Sequence, residues 1–441
     1  MTTVSLTIDR TLATPLPAQL AKQLREHVVS GRLNRGDQVP SSRSLAADLQ
    51  VSRSVAESAY EQLIAEGWLE SHRGSGTFVA SGGFVTPAGR ARTRSGAVGE
   101  LIRLDSGTPW IDPKLRNGWR RAWRETSAAQ PPAGYDDPRG MRELRDALAE
   151  RLARTRGLDV DADAILVTAG TVDGFRTLLP ELTPGPIGIE DPGYRAAVAT
   201  VRAYRRTVID VPAAQPIPTT GLAAVYVTPA HQHPLGPVLP ASDRLELLSA
   251  ARRSKTVVVE DDYDSEFRYD VAPVPALAAL DRENVVYLGT ASKTVSPTLR
   301  LGWMVAPTPL HDAILERRRL THTGAAWSSQ RAMVTLLRDG WVDRIIRAAR
   351  RVYAERAPRV AAVMSSRARL AGPLAGMYSA WIMSADSADK VRSSARNAGF
   401  DIPLLSDYCR SSSLTGLVVG FGGLTDEQFE RALVAISTAR G

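Results

Sequence analysis

Cysteine is almost absent from this chain of 441 residues; Cys409 stands alone. One thiol excludes an intrachain disulfide framework, fits a reducing compartment and cannot supply a cysteine zinc site. Lysine is nearly as scarce: Lys22, Lys114, Lys255, Lys293 and Lys390 face fifty arginines. Long apolar runs are missing too, and none approaches the ~20 residues that span a bilayer. The opening stretch "MTTVSLTIDRTLATPLPAQ" holds no signal-peptide core. Together these absences lead to the expectation of a cytoplasmic protein with no membrane segment.

What is present is an ordinary globular composition, 44% apolar and 23% charged, in a chain long enough for two or three domains. A net charge of +8 permits an anionic partner without requiring one. Residues 1–99 hold 11 Arg and Lys against 8 Asp and Glu, so charge alone does not make this part a nucleic-acid binder.

Helical spacing of Leu20, Leu24 and Val28 predicts a first helix, stopped near Gly31. Ser41 or Ser42 can cap a second helix that buries Leu45 and Leu49. After the short break "QV", Ser52 can cap a third helix with Val55, Ala59 and Leu63 on one face. "WLESHRGSGTFVA" then reads as a hairpin turning at Arg73-Gly74-Ser75-Gly76. Residues 81–99, rich in Gly, Ser, Thr and Arg without apolar periodicity, read as a linker.

From residue 100 the pattern changes. "AILVTAG", "GPIGIED", "AAVYVTP", "TVVVEDD" and "NVVYLGT" are short apolar runs, several separated by helical stretches. That alternation predicts an α/β domain with a largely parallel sheet, its ligands at the carboxyl ends of the strands. The stretch from about 345 onward mixes helix and strand and reads as a smaller subdomain.

Two short helices around a break, followed by a hairpin, make a winged helix-turn-helix. Its third helix is narrow enough for a major groove. Arg53 on the first turn of that helix suits a guanine edge, and Arg43 suits phosphate or a base. The wing brings Arg73 and the bare amides of Gly74 toward the backbone or minor groove.

The strand ends of the second part carry a different chemistry. Lys293 lies after one strand, Asp261 after another, and Arg300 seven residues beyond the lysine. A primary amine, a carboxylate and an anion-binding cation are what pyridoxal phosphate needs: an imine partner, a partner for the pyridine nitrogen and a phosphate clamp. Gly170 and Thr171 at a strand-to-helix turn offer free amides to phosphate. Thr290 and Ser292 add hydroxyls, and Tyr194 offers a ring to stack. The acidic turn "VEDDYDSEF" is disfavoured as a metal site because no histidine lies near it in sequence.

The segment "GDQVPSSRSLAADLQVSRSVAESAYEQLIAEGWLESHRGSGTFV" closely resembles the GntR-type winged helix-turn-helix over about residues 12–80. "YDDPRGMRELRDALAERLARTRG", "EDPGY", "VTPAHQHPLG", "EDDYDSEFRY" and "YLGTASKTVSPTLRLGWMV" resemble, in order, blocks of the fold-type I aminotransferases. The whole chain therefore looks like the MocR/GabR family of transcriptional regulators over about residues 12–425. The resemblance implies a DNA-binding head (1–80), a linker (81–99) and an aminotransferase-like effector domain (100–441). It implies that Lys293 forms the Schiff base, Asp261 pairs with the ring nitrogen, Tyr263 contacts the phenolic oxygen and Tyr194 stacks. Gly170, Thr171, Thr290 and Arg300 would hold phosphate, and Arg43, Arg53 and the wing at Gly74 would contact operator DNA.

Three positions depart from the family pattern. Leu235 stands where a hydroxyl residue is usual, Ala291 removes an aromatic, and Val172 and Asp173 replace glutamines in the phosphate loop. An acid beside phosphate is unfavourable unless it points away.

The fused head favours a regulator that senses a small amine, an amino acid or the B6 vitamer itself. The alternative is a working aminotransferase with an appended head. Turnover would require an arginine for the substrate carboxylate, for which Arg410 and Arg195 are the candidates. The family resemblance further implies a head-to-tail homodimer.

Overall fold

The computed structural model describes residues 6–12, 14–72, 75–80, 101–213, 215–269 and 274–439. Its contacts divide the chain into two units, Met1–Gly96 and Ala97–Gly441. The expected linker and the wing residues Arg73 and Gly74 lie outside the described residues.

In the first unit, helices α1 (Leu16–Val29), α2 (Ser42–Asp48) and α3 (Arg53–Ala65) precede a small antiparallel sheet. Its order is β1 (Gln38–Val39), β3 (Gly76–Val79), β2 (Leu69–His72). Leu20, Leu24, Leu45, Ala59, Leu63, Leu69 and Val79 form the core. β1 joins the expected hairpin as a third strand; two residues are too few to show periodicity.

Ser41 caps α2 by accepting from the Ser44 amide at 3.1 Å. Ser52 sits at the N-cap position of α3, but its hydroxyl pairs with Ser54 Oγ at 2.8 Å and caps no backbone amide. The turn between α2 and α3 is made by Gln50 in the left-handed region, φ 52°. Arg10 holds it by donating to the Gln50 carbonyl at 2.7 Å. Tyr60 Oη donates to the Pro40 carbonyl at 2.7 Å and ties α3 to the entry of α2.

The second unit opens with β4 (Ile102–Arg103), helix α4 (Leu115–Ala128) and helix α5 (Arg142–Arg156). Seven strands follow: β5 (Ile165–Thr168), β6 (Ile187–Asp191), β7 (Val208–Pro212), β8 (Ala224–Val227), β9 (Val257–Asp262), β10 (Val285–Thr290) and β11 (Gly302–Val305). They form one sheet in the order β5-β11-β10-β9-β8-β6-β7. Only β11 runs antiparallel to its neighbours. The sheet is thus largely parallel, as its apolar runs imply. Helices α6 (Thr171–Leu178), α7 (Arg195–Ala203) and α8 (Ala241–Ser254) start after strands β5, β6 and β8.

Beyond α9 (Thr308–Thr321) and α10 (Trp327–Arg338), the long α11 (Trp341–Met364) leads into the smaller part. There β12 (Arg369–Leu370), β13 (Tyr378–Ile382) and β15 (Gly416–Gly420) form an antiparallel sheet with α12 (Ala385–Asn397) and α13 (Asp426–Ser437). β14 (Phe400–Asp401) pairs in parallel with β4, so the start of the unit is fastened to its end.

Strand β9 explains how three consecutive acids enter a core. Side chains alternate between faces, so Glu260 and Asp262 leave one way and Asp261 the other. Glu260 accepts from the Leu277 and Ala278 amides at 3.0 and 3.1 Å. Asp262 accepts from Tyr287 Oη at 2.6 Å and forms an ion pair with Arg156 at 2.6 Å. Both partners of that pair are almost wholly buried. Removing the guanidinium leaves a buried carboxylate without its counter-ion. Arg156→Leu should therefore cost about 3–5 kcal/mol of stability, read by urea denaturation.

Candidate functional site

At the carboxyl ends of the parallel strands lies a cavity of about 480 Å³. All nine residues expected around a cofactor line it: Gly170, Thr171, Tyr194, Asp261, Tyr263, Thr290, Ser292, Lys293 and Arg300. They come from segments that end β5, β6, β9 and β10.

Lys293 Nζ donates to the Gly107 carbonyl at 2.6 Å. Burial lowers its pKa, while the charges of Asp105, Asp264 and Asp261 pull it back upward. Asp105 shapes the loop around that carbonyl, accepting from the Gly107 amide at 2.9 Å and from Thr108 Oγ1 at 2.8 Å.

Asp261 accepts a hydrogen bond from Tyr226 Oη on one carboxylate oxygen. The other, Oδ1, is buried with no partner among the described residues. Burial pushes the pKa of this carboxyl up to about 7, against the opposing hydrogen bond from Tyr226. A buried, unpartnered acceptor at a cavity wall is costly unless a ligand donates to it.

Tyr263 Oη donates to the His231 carbonyl at 2.9 Å and lies 2.7 Å from Tyr378 Oη. Tyr194 begins α7, and its ring meets His233 edge-on at 5.7 Å. Burial, with Asp261 nearby, lifts the Tyr194 pKa to about 12.

The other end of the cavity gathers groups whose chemistry suits an anion. Gly170 precedes α6 with φ 119°, a conformation L side chains rarely adopt. Arg300 Nη1 lies 4.0 Å from where a Cβ on Gly170 would stand. No ion-pair partner of Arg300 is found among the described residues. Thr290 Oγ1 lies 2.9 Å from Ser292 Oγ. Asp173 does not face the cavity: it accepts from the Ala169 amide at 2.9 Å and pairs with Arg176 at 2.6 Å. The acid in this turn is thereby neutralised and turned away.

The two candidate carboxylate binders separate. Arg195 lines the cavity and is exposed. Arg410 does not line it, which corrects the expectation. Its guanidinium pairs with Asp210 at 2.6 Å and donates to the Ile189 and Glu190 carbonyls at 2.9 Å. It fastens the loop after β14 to β6 and β7.

Sequence reasoning missed Asp105, Gly107, His233 and Tyr408, which also line the cavity. Gly107 lies 186 residues from Lys293, and no local pattern links them. His233 does fall inside a recognised block; burial, then His231 and Lys293, depress its pKa to about 3, so its ring is neutral. The acidic turn also has a histidine in space, since His231 Nδ1 lies 2.7 Å from Asp264. Among the described residues no group of three or more His, Cys, Asp or Glu could hold a metal.

In the first unit, Arg43 is exposed on α2. Arg53 is exposed at the start of α3, where its Nε pairs with Glu57 at 2.7 Å. That surface ion pair is weak enough to be exchanged for another acceptor. Among the described residues no helix is long and apolar enough to cross a membrane.

Residues 16–79 match the family described as bacterial regulatory proteins, gntR family. Residues 100–436 match aminotransferase class I and II. The chain is 33% identical to the HTH-type pyridoxine biosynthesis transcriptional regulator PdxR of Corynebacterium glutamicum, covering 97% of this chain and 96% of that one. It is 32% identical to the probable rhizopine catabolism regulatory protein MocR of Rhizobium meliloti, over 80% of this chain and 77% of that one. An archaeal alanine:glyoxylate aminotransferase superposes with a TM-score of 0.68 at 21% identity, over 77% of this chain and 90% of that one.

Asp261 holds its proton more tightly folded than unfolded. The ligand-free fold should therefore lose stability as pH rises from about 4 through about 7. Between pH ~5 and ~8, Asp261→Asn should remove about 2–3 kcal/mol of that loss, read by urea denaturation at both pH values.

Proposed function

Since the chain belongs to the MocR/GabR family of transcriptional regulators, we propose that its effector domain binds pyridoxal phosphate at Lys293 and senses the B6 vitamer itself. Residues 1–80 are the operator reader, 81–99 the tether and 100–441 the sensor. The reading places the protein in the cytoplasm as a head-to-tail homodimer.

The single observation that carries the cofactor assignment is the unpartnered Asp261 Oδ1 in the same cavity as the Lys293 amine. Pyridoxal phosphate supplies an aldehyde and a ring that withdraws electrons when its nitrogen is protonated. Asp261 Oδ1 would accept a ring N–H, which would complete its hydrogen bonding. Lys293 provides the amine, and burial raises the share of it that is neutral and nucleophilic. The amides at the start of α6, the Thr290 and Ser292 hydroxyls and the Arg300 guanidinium bind phosphate. Tyr263 would contact the phenolic oxygen, and Tyr194 would stack on the ring.

The vitamer is favoured over an amino acid because, among the described residues, the cavity holds no buried cation for a second anionic group. Arg410 is held by Asp210 and two carbonyls, and Arg103 pairs with Asp105 at 3.0 Å. The name of the C. glutamicum relative supports the same choice. Arg195, exposed and without an ion-pair partner among the described residues, favours the second reading, an amino-acid effector with or without turnover. Control follows if the effector binds two arrangements of the protein with different affinity. In the head, Arg53 reads a base, Arg43 and Ser52 reach phosphate or base edges, and the wing at Arg73 and Gly74 meets the backbone.

Adding pyridoxal phosphate to the purified chain should produce visible absorbance, absent from Lys293→Ala; equal spectra would refute the site. Amino acids should leave DNA affinity unchanged where the vitamer alters it. Arg53→Ala should weaken binding to a duplex selected by the wild-type chain from a randomised pool, by about 1–3 kcal/mol. Anisotropy titration measures this, and an unchanged affinity removes Arg53 from the reading surface.

A further inference from the structure

The stretch of chain ahead of α1 is fastened to that helix by two glutamines. The Thr7 amide donates to Gln23 Oε1 at 2.9 Å, and Gln23 Nε2 donates back to the Thr7 carbonyl at 2.6 Å. The Asp9 amide donates to Gln19 Oε1 at 3.1 Å, and Gln19 Nε2 donates to the Asp9 and Thr14 carbonyls at 2.9 and 2.8 Å. Each glutamine thus pairs with the backbone as a neighbouring strand would. The spacing suits this pairing, since four helical residues rise about 6 Å and two extended residues about 6.6 Å. Gln19 is buried, so these bonds satisfy groups that have no solvent to turn to. Leu6 and Ile8 alternate with the paired residues and pack against the core of the head.

This arm delivers Arg10 to a defined place. Arg10 Nη2 donates to the Gln50 carbonyl at 2.7 Å. Gln50 lies just beyond α2 and three residues before Arg53, the first residue of α3. The acid next to Arg10 in sequence, Asp9, is engaged elsewhere: it accepts from the Thr11 amide at 2.8 Å and from Thr11 Oγ1 at 2.6 Å. Arg10 is exposed and forms no ion pair among the described residues. A guanidinium carries five N–H donors, and the bond to Gln50 uses one of them.

We infer that Arg10 is a phosphate contact of the DNA-binding head, held at the turn between α2 and α3 by an arm that precedes the winged helix. The inference rests on the reading of α3 as the operator helix. In that geometry α3 enters the major groove by its first turn while α2 crosses the DNA backbone. The turn joining them then lies at the groove edge, where the phosphates run. A guanidinium anchored to a carbonyl there keeps donors for a charge-assisted bond to phosphate and loses little side-chain freedom on binding. Such a contact carries no sequence information; it fixes the register in which Arg53 meets its base. The competing role, a cation that only caps the carbonyl end of α2, leaves the salt dependence of DNA binding unchanged.

The test titrates the full-length chain, Arg10→Gln, Arg10→Lys and Arg53→Ala by anisotropy between about 50 and 200 mM salt. Two duplexes are used, one selected by the wild-type chain from a randomised pool and one of arbitrary sequence. Arg10→Gln should weaken binding to both by a similar factor, about threefold to tenfold at low salt, and flatten the slope of log K against log salt by about 0.9. Arg10→Lys keeps the charge and should stay within about twofold of wild type with its slope unchanged. An unchanged slope in Arg10→Gln overturns the inference, as does an equal flattening in Arg10→Lys. A loss confined to the selected duplex overturns it in favour of a positioning role through Gln50. Arg53→Ala separates this inference from the reading beneath it. If Arg53→Ala weakens binding to the selected duplex and Arg10→Gln does not, the arm alone is overturned; if neither does, the reading of α3 falls with it. Where circular dichroism shows that Arg10→Gln does not fold, Arg10→Met is judged by the same slope.

Discussion

A strand covered on both faces has no solvent into which to turn a charge, yet β9 ends in Glu260, Asp261 and Asp262. The arrangement around the cavity follows from how those three carboxyls are accommodated. Pleating sends Glu260 and Asp262 to the face where Arg156, Tyr287 and two backbone amides receive them. Asp261 goes to the other face with a single tyrosine partner. On one side of the strand both carboxyls find their partners within the fold. The opposite side keeps one acceptor open at the cavity wall. The strand thus separates carboxyls partnered inside the fold from one left open to the cavity, using no more than the two-residue period of a β-strand.

The end of the cavity proposed to hold phosphate is built from backbone as much as from side chains. Gly170, Gly289 and Gly302 belong to three different strand ends, and at Gly289 and Gly302 neighbouring atoms occupy the space a side chain would take. A Cβ on Gly302 would fall 2.8 Å from Gly170 Cα, and one on Gly289 would overlap the Trp303 ring. The turn before α6 can therefore lie close against β11, with its amides and the Arg300 guanidinium at one place.

Much of this was legible in the sequence, for identifiable reasons. Lys293 stood out as one of few lysines among arginines, and the β-branched runs marked β9 and β10. Asp261 and Tyr263 sat in a recognisable block. Other features left no local trace. β7 and β11 carry no run distinct enough to separate them from their surroundings, and β1 is too short for any period. Arg410 looked available because its partner, Asp210, is 200 residues away in the chain. Ser52 looked like a cap because its residue type suits the position, but a neighbouring hydroxyl took its hydrogen bond. Residue type marks what a side chain is able to do; the fold decides which partner reaches it first.

The hydrogen bond from Lys293 to the Gly107 carbonyl makes the amine a contested group. Any aldehyde that claims Lys293 competes with an acceptor that is always present, at a local concentration set by the fold. Measured affinity is then the intrinsic affinity multiplied by the fraction of amines released from Gly107. The loop held by Asp105, itself part of the cavity wall, therefore governs how readily the Lys293 amine is released. The availability of this amine can be retuned by altering the strength of its internal rival while Lys293 itself stays the same.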